Sequence, residues 1–241
     1  MAHPQNSDLT ELFIEFYQKR YDGEINELAQ QYPDDCRSLY IEYDDLYLFN
    51  SDLAADFLNK PDSVREYAEE ALRLYDHSEG PQLGRAHVRL QNLPEASVFE
   101  PGNIRVSDDA IGRLVTLRGY VQEASEVEAK VVEAAFECQR CGTMTYIPQA
   151  DTGFQEPHEC QGCEREGPFR VDLDQSEFVD GQTATLTPLP ESDTVVEAEI
   201  QVILENDIAG EVASGDRAEI TGVLHVSQTE SKTTFEHVLS G

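Results

Sequence analysis

The sequence carries little positive charge. Lys and Arg number 17 among its 241 residues against 48 Asp and Glu, so the formal net charge is -31 at pH 7. The acidic excess runs along the whole chain and is not confined to a tail. Carboxylates stay hydrated in concentrated salt, and the salt screens their mutual repulsion. We therefore expect a halophilic protein; the alternative is an acidic mesophilic protein that binds a basic partner.

Long apolar runs are also missing. No stretch approaches the roughly 18 consecutive apolar residues that a membrane-spanning helix needs. The first residues, MAHPQNSDLTELF, lack the basic start and apolar core of a secretory signal. We expect a cytoplasmic protein without a membrane partner.

Sequence motifs of catalysis and nucleotide binding are absent as well. The chain contains no G-x-x-x-x-G-K-[ST], G-x-G-x-x-G, H-E-x-x-H or G-x-S-x-G. Its 6 histidines are scattered without the spacing of metal ligands. We therefore predict that this chain is not itself an enzyme.

The first third of the chain has helical periodicity. Apolar residues recur at helical spacing from residue 9 to 32 and again from 64 to 75. Alternation over residues 39–43 predicts a short strand or an extended connector, and a helix over 51–60 is expected to stop near Pro61. We predict a helical bundle over residues 1–84, whose last eight residues form a Gly/Pro-punctuated linker.

Beyond this linker the period changes to two. Short alternating segments separated by Gly, Pro and Asp are typical of a small closed β-barrel. We assign residues 85–136 and 171–241 to this barrel and residues 137–170 to a cysteine-bearing unit inserted between two of its strands. The predicted fold is therefore α+β, with a helical bundle followed by a barrel that carries an insertion.

Four of the five cysteines form two Cys-x-x-Cys pairs separated by 18 residues, namely Cys138, Cys141, Cys160 and Cys163. This spacing is typical of a Cys₄ zinc ribbon, because a two-residue spacer in a tight turn directs both thiolates towards one metal ion. Gly142 and Gly162 stand where such turns need a positive φ or a close backbone approach. The pattern predicts one structural zinc ion per chain, held by four ligands that leave no open position for catalysis.

Other uses of four cysteines are possible. Disulfides are disfavoured in a cytoplasmic protein. A redox-active Cys-x-x-Cys is expected singly, beside a βαβ pattern that is missing here. An iron–sulfur centre also uses four cysteines and stays open as an alternative.

Several stretches resemble the N-terminal region of archaeal minichromosome maintenance (MCM) replicative helicases: FECQRCGTMTYIPQ, PHECQGCE, GPFR followed by SEFVD, and GDRAEITGVL. The resemblance covers essentially the whole chain and, with the acidic composition, points to a haloarchaeal member. It implies a helical A subdomain, a zinc subdomain and an oligonucleotide-binding (OB) barrel. It also implies a hexameric or double-hexameric ring around DNA, contacts with other MCM or replication proteins, and an ATP-driven motor that follows this region.

The chain departs from that family in two respects. It ends at Gly241 without the motor, and it is either a piece of a longer protein or a stand-alone relative. The segment 181–202, where the family's DNA-binding hairpin carries basic residues, contains no Lys, Arg or aromatic residue. The alternative function is therefore a divergent MCM-like scaffold that has lost direct DNA contact and acts through protein–protein interaction with the replication machinery.

Basic residues elsewhere are the remaining candidates for DNA contact, because phosphate contacts supply most non-specific DNA affinity. We expect single- or double-stranded DNA to be bound by residues on early barrel strands and around the cysteine unit. These are Arg113, Arg118, Lys130, Arg140, Arg165 and Arg170. On so acidic a surface, more than half of them are expected to be solvated or paired with carboxylates.

Overall fold

The structure is a computed structural model that describes residues 6–33, 36–77, 80–104, 109–149, 154–190, 198–228 and 235–240. For residues 6, 7, 227, 228 and 235–240 it describes the backbone alone. No helix in these ranges combines the length and the apolar character that crossing a membrane requires.

Five helices of the described chain form the N-terminal lobe: α1 (Asn6–Arg20), α2 (Asp22–Gln31), α3 (Tyr43–Phe49), α4 (Ser51–Asn59) and α5 (Pro61–Leu74). Their apolar stripes meet in one core, in which Phe13, Phe16 and Tyr17 are fully buried. The Tyr17 hydroxyl donates a 2.9 Å hydrogen bond to the Ala68 carbonyl, which ties α1 to α5. Burial, followed by the nearby Glu69 charge, raises the pKa of Tyr17 well above its usual value.

One helix boundary differs from the sequence prediction. Helix α3 starts at Tyr43, directly after the predicted short strand, where alternation had indicated only extended chain. The predicted end of a helix near Pro61 is confirmed, because α4 ends at Asn59. Pro61 is the first residue of α5, where the N–H that proline lacks would have no partner within the helix. Asn50 caps α4 by accepting hydrogen bonds from the N–H groups of Asp52 and Leu53.

A two-stranded parallel sheet completes the helical lobe. Strand β1 (Ser38–Glu42) pairs with β2 (His87–Gln91), with Ser38 opposite His87. Val88 and Leu90 of β2 are buried in the helical core. The sequence prediction placed β2 in the barrel, but its inward side chains pack against the helices and its only described pairing partner is β1.

The remaining strands belong to one eight-stranded sheet: β3 (Val98–Phe99), β4 (Leu114–Ala124), β5 (Glu128–Cys138), β6 (Met144–Pro148), β7 (Phe169–Thr187), β8 (Ile200–Glu205), β9 (Arg217–Gln228) and β10 (Phe235–Ser240). Their order is β3-β4-β9-β10-β8-β7-β5-β6, and an additional β4–β7 pairing closes a ring of five strands. Five strands closed in this way are typical of an OB-fold barrel. The predicted fold class, a helical part followed by this barrel, is confirmed.

The barrel closes where β4 crosses β7. A Cβ atom on Gly119 would lie 2.7 Å from the Thr187 carbonyl oxygen, so only glycine permits this approach. Leu117 and Val121 of β4 and Leu186 of β7 are fully buried inside the barrel. Strand β7 is 19 residues long, and its first half leaves the barrel paired with β5, which carries the cysteine unit outward.

Candidate metal centre and cationic residues

The first cysteine pair lies in a tight turn at the end of β5. The Cys138 N–H donates to the Thr143 carbonyl at 3.0 Å, and the Gly142 N–H donates to the Cys138 carbonyl at 2.8 Å. Gly142 has a φ of +74°, which glycine adopts without strain. The turn therefore directs Cys138 and Cys141 to the same side, as the sequence predicts.

The second pair repeats this geometry. The Cys160 N–H donates to the Arg165 carbonyl at 3.0 Å, and the Glu164 N–H donates to the Cys160 carbonyl at 2.9 Å. Glu164, which corresponds to Gly142 of the first turn, has a φ of +52° although it carries a side chain. The two turns approach each other so closely at Gly162 that only glycine fits there. A Cβ atom at this position would lie 2.2 Å from Thr143 Oγ1 of the first turn.

The two turns bring the four thiols together. All four Sγ atoms lie within 4.8 Å of one another. The Cys138–Cys163 sulfur distance is 3.9 Å and the Cys141–Cys160 distance is 3.5 Å. Four sulfurs at 2.3 Å from a tetrahedral ion would be separated by about 3.8 Å, whereas a disulfide requires about 2.05 Å. The cluster thus has the dimensions of a tetrathiolate metal site, and these residues could hold a metal ion.

Hydrogen bonds around the cluster favour the thiolate form of Cys141 and Cys160 and the protonated form of Cys163. Bonds from the Thr143 hydroxyl and backbone, followed by one from Cys160, lower the pKa of the Cys141 thiol to about 6. Backbone hydrogen bonds at Cys163 and Gly162 lower the pKa of Cys160. Desolvation, together with hydrogen bonds to the other thiols, raises the pKa of Cys163 to about 12. A metal cation would replace the remaining protons, because thiolates are the form that binds it.

Three of the six predicted DNA-binding residues are paired with carboxylates. Arg118 donates to Glu219 at 2.7 Å on the barrel. Lys130 pairs with Glu205, and Arg170 donates to Glu137 at 2.7 Å beside the first turn. Each of these pairs would have to be broken or shared before the basic residue could bind a phosphate.

The other three predicted residues have no carboxylate partner among the described contacts. The Arg113 side chain donates to the Asp109 carbonyl at 3.5 Å, and the Arg140 side chain donates to the Gly167 carbonyl at 2.8 Å. The Arg165 side chain has no hydrogen bond or ion pair within the described part of the chain, and both Arg140 and Arg165 are exposed. The structure therefore brings one arginine without a described carboxylate partner to each cysteine-bearing turn, whereas Arg113, Arg118 and Lys130 lie apart on the barrel.

Sequence reasoning missed a second group of basic residues. Arg37, Arg73 and Arg85 come from separate segments and line one cleft between the helical lobe and the β5–β7 ladder. No local pattern could have grouped them, because only the fold brings these segments together. The segment 181–202, which lacks Lys and Arg, is described for residues 181–190 and 198–202; residues 191–197 lie outside the described ranges.

Two protein-family models match the chain. The MCM N-terminal domain matches residues 9–92, and the MCM OB domain matches residues 104–228, which is more than half of the chain. The chain belongs to the MCM family. The matched regions are the N-terminal domains of MCM proteins, which lack the AAA+ ATPase motor.

Curated MCM proteins match over most of the chain. It is 27% identical over 242 residues to the minichromosome maintenance protein MCM of Saccharolobus solfataricus, covering 92% of this chain and 34% of that protein. It is 24% identical to the DNA replication licensing factor mcm6 of Schizosaccharomyces pombe, and the alignment covers 86% of this chain and 25% of that protein. It is 29% identical to the DNA replication licensing factor Mcm5 of Drosophila melanogaster, and the alignment covers 78% of this chain and 28% of that protein. The chain therefore spans about a quarter to a third of the length of these relatives.

A solved MCM structure has the same architecture. The crystal structure of the N-terminal domain of an archaeal MCM aligns with a TM-score of 0.74 and 26% sequence identity. The alignment covers 98% of this chain and 97% of that domain. The chain thus has the fold of the archaeal MCM N-terminal domain along nearly its whole length.

Proposed function

We propose that this chain is the non-catalytic N-terminal module of an MCM replication protein, which binds DNA and assembles into a hexameric or double-hexameric ring beside an ATP-driven motor. Family membership along the chain supports a role in DNA replication. The observation that carries the DNA-binding part is the state of Arg140 and Arg165: each is exposed on a metal-binding turn and has no described carboxylate partner.

Charge explains why these two arginines matter on so acidic a surface. An arginine paired with a carboxylate must exchange that partner for a phosphate, so it gains little from DNA. A guanidinium without a carboxylate partner presents its remaining donors to phosphate without such a competitor. We therefore propose that Arg140 and Arg165 make the first phosphate contacts, and that Arg118, Lys130 and Arg170 contribute less.

We propose that the four cysteines hold one zinc ion per chain. The tetrathiolate spacing and the two matching turns support zinc. When bound, the ion would join the two turns covalently and supply no catalytic chemistry, because four protein ligands complete its coordination. Its role is to fix Arg140 and Arg165 relative to each other at the tip of the β5–β7 ladder.

The acidic composition supports a setting in concentrated salt. With a net charge of -31, DNA binding at low ionic strength would be opposed by long-range repulsion. At about 1 M salt the Debye length is about 3 Å, so local contacts decide the outcome. We propose that the protein works in the cytoplasm of a halophile.

DNA binding is tested by fluorescence anisotropy with labelled single-stranded and duplex oligonucleotides over a range of KCl concentrations. Replacing Arg140 and Arg165 together by Ala is expected to lower the salt slope by about 1.4 for a single strand, or about 1.8 for a duplex. Arg118→Ala, which removes an arginine already paired with Glu219, is the matched control and should change binding little. Wild-type affinity in the double variant, or no wild-type binding at any salt concentration, would contradict the proposal.

Ring assembly is tested separately by analytical ultracentrifugation or mass photometry in molar KCl. A species of six or twelve chains is the expected result. A monomer at all concentrations up to the micromolar range would count against ring assembly by this region alone.

A further inference from the structure

The two cysteine-bearing turns, residues 138–143 and 160–165, differ in their last side chain. Thr143 ends the first turn and Arg165 ends the second. In each turn the carbonyl of this residue accepts the N–H of the first cysteine at 3.0 Å, and its backbone forms a hydrogen bond to the sulfur of the second cysteine. The backbone geometry is therefore shared, and the difference between the turns lies in the side chains of Thr143 and Arg165.

The Thr143 hydroxyl contacts one of the four sulfur atoms. Thr143 Oγ1 lies 3.3 Å from Cys141 Sγ, which is within hydrogen-bond distance for a sulfur atom. A thiolate has no proton to donate, so in a metal-bound cluster the hydroxyl is the donor and the sulfur the acceptor. In the described part of the chain, no hydroxyl reaches the Cys163 sulfur at the equivalent place in the second turn. The side-chain hydrogen bond therefore distinguishes Cys141 from Cys163.

Cys141 is also the cysteine of the cluster that solvent reaches most easily. It is exposed, whereas Cys138 and Cys160 are buried and Cys163 is half-buried. A competing chelator or an alkylating reagent in solution therefore meets the Cys141 sulfur first. Hydrogen bonds to metal ligands fix their orientation and tune the strength of the metal–ligand bond. The hydroxyl of Thr143 thus supports the ligand that is least protected by the fold.

The Thr143 side chain also packs against the second turn. A Cβ atom added to Gly162 would lie 2.2 Å from Thr143 Oγ1 and 3.1 Å from the Thr143 methyl carbon, so this side chain lies directly on the Gly162 backbone. The Gly162 N–H in turn approaches Cys160 Sγ at 3.3 Å. Because Thr143 is held between the Cys141 sulfur and the backbone of the other turn, its hydroxyl has little freedom to rotate away from Cys141.

We propose that Thr143 is a positioning residue of the metal site, whose hydroxyl donates a hydrogen bond to the Cys141 thiolate and holds that sulfur in place for the metal ion. This inference rests on the proposed zinc site and goes beyond it, because Thr143 is not itself a ligand. Loss of a hydrogen-bonding partner of a metal ligand typically lowers metal affinity by about 10–100-fold. The Thr143 hydroxyl accordingly raises the affinity for zinc and slows its loss from the exposed side of the cluster.

The first test measures the zinc affinity of the whole chain by competition with a chromophoric chelator in molar KCl. Thr143→Ala and Thr143→Ser differ from each other only in the hydroxyl, and neither adds bulk beside Gly162. Thr143→Ala should weaken zinc binding by about tenfold or more, whereas Thr143→Ser should bind zinc nearly as tightly as the wild type. Equal affinities of the two variants would overturn the inference, because the effect of Thr143 would then come from packing alone.

Thr145→Val is the matched control. Thr145 lies on β6 in the same unit, is only 2% exposed, and its hydroxyl has no hydrogen-bond partner in the described part of the chain. The change to valine removes this hydroxyl at nearly constant volume, so it should leave the zinc affinity unchanged. If Thr145→Val weakened zinc binding as much as Thr143→Ala does, a general loosening of the unit would explain both results and the inference would be wrong.

The second test asks which sulfur is affected. The zinc-loaded chain is treated with iodoacetamide, and alkylation of each cysteine is followed over time by mass spectrometry of the peptides. Thr143→Ala should be alkylated at Cys141 several times faster than the wild type, and ahead of the other three ligands, because a thiolate that loses a hydrogen bond is a stronger nucleophile. A merely structural role would expose all four cysteines together. Simultaneous alkylation of the four would therefore overturn the inference.

The outcomes separate this inference from the proposed function. A wild-type chain that binds one zinc ion no more tightly than Thr143→Ala overturns the positioning role and leaves the zinc site intact. A wild-type chain that binds no zinc overturns both. DNA binding and ring assembly are measured independently, so they stand or fall by their own experiments. If Thr143→Ala folds only in excess zinc, the zinc concentration at which its circular dichroism recovers gives the affinity for the comparison with Thr143→Ser.

Discussion

Arg89 of β2 donates a 2.7 Å hydrogen bond to the carboxylate of Asp207, which follows β8, and so joins the helical lobe to the barrel. The same guanidinium donates to the Glu205 carbonyl at 3.3 Å and to the Ser38 hydroxyl at 3.0 Å. Only 16% of the Arg89 side chain and 19% of the Asp207 side chain are exposed. This largely buried pair therefore links the helical lobe to the barrel.

The Arg89–Asp207 pair predicts a pH-dependent stability. Burial alone would raise the pKa of Asp207, but a hydrogen bond from Ser38 and the Arg89 charge outweigh it and lower that pKa. The pair's contribution is thus fully present above the unfolded-state pKa of about 3.9, and it is lost as the pH falls through the lower folded-state value. Asp207→Asn should lower the free energy of unfolding at pH 7 by about 2 kcal/mol, measured by urea denaturation.

The control for this prediction is Asp62→Asn, because Asp62 forms an exposed ion pair with Arg65. It should change the free energy of unfolding by less than about 0.5 kcal/mol. The difference between wild type and Asp207→Asn should shrink when the pH is lowered below about 4. A difference that stays constant from pH 7 to the onset of acid unfolding would show that the charge of Asp207 is not the source of the stability.

Replacing Cys138 or Cys160 by Ser should abolish metal binding. Elemental mass spectrometry is expected to find one zinc ion per chain in the wild-type protein. Each of the two variants is expected to contain no zinc. Since a structural zinc contributes about 10 kcal/mol or more to the folding of such units, the two turns should become sensitive to protease. Cys36→Ser is the control, because Cys36 lies in the helical lobe with its Sγ 3.6 Å from the Ser38 carbonyl oxygen. If the wild-type protein contained iron and absorbed visible light, the zinc prediction would be wrong and the iron–sulfur alternative would be supported.

Glu164→Gly should stabilise the second cysteine-bearing turn. Glu164 adopts a φ of +52°, which is unfavourable for a residue with a side chain. Removing that strain should raise the free energy of unfolding by about 0.5 kcal/mol, after the entropy of the new glycine is subtracted. Gly142→Ala at the equivalent position, where φ is +74°, should have the opposite effect and cost about 1 kcal/mol or more. Equal thermal midpoints for the three proteins, compared in their zinc-bound forms, would refute the equivalence of the two turns.

The net charge of -31 predicts that salt stabilises the fold. Screening of carboxylate repulsion should raise the thermal unfolding midpoint steadily as KCl is increased from about 0.1 M to about 2 M. Replacing the exposed Glu123 and Glu126 by Gln should raise the midpoint at low salt and have a smaller effect at high salt. A midpoint independent of KCl would argue for the mesophilic alternative with a basic partner.

Local features were predictable where the interactions that set them are close in sequence. The two Cys-x-x-Cys turns follow from a two-residue spacer and a neighbouring glycine, and the long helices follow from apolar spacing. Prediction failed at Tyr43, where a helix begins inside a pattern that also suits an extended chain. The assignment of β2 to the barrel was wrong, because alternation predicts that Val88 and Leu90 are buried but does not indicate whether the helical core or the barrel core contains them.

The four thiols, the helical and alternating periodicities and the acidic composition could be recognised without a structure, since each depends on residue type and short spacing. Which basic residues are paired with carboxylates became visible only in the folded chain. Arg118 meets Glu219 across 101 residues and Arg89 meets Asp207 across 118, whereas Arg140 and Arg165 meet no described carboxylate. The physical reason is that an ion pair depends on the distance between two charges in space, and the closure of the barrel against the helical lobe sets that distance.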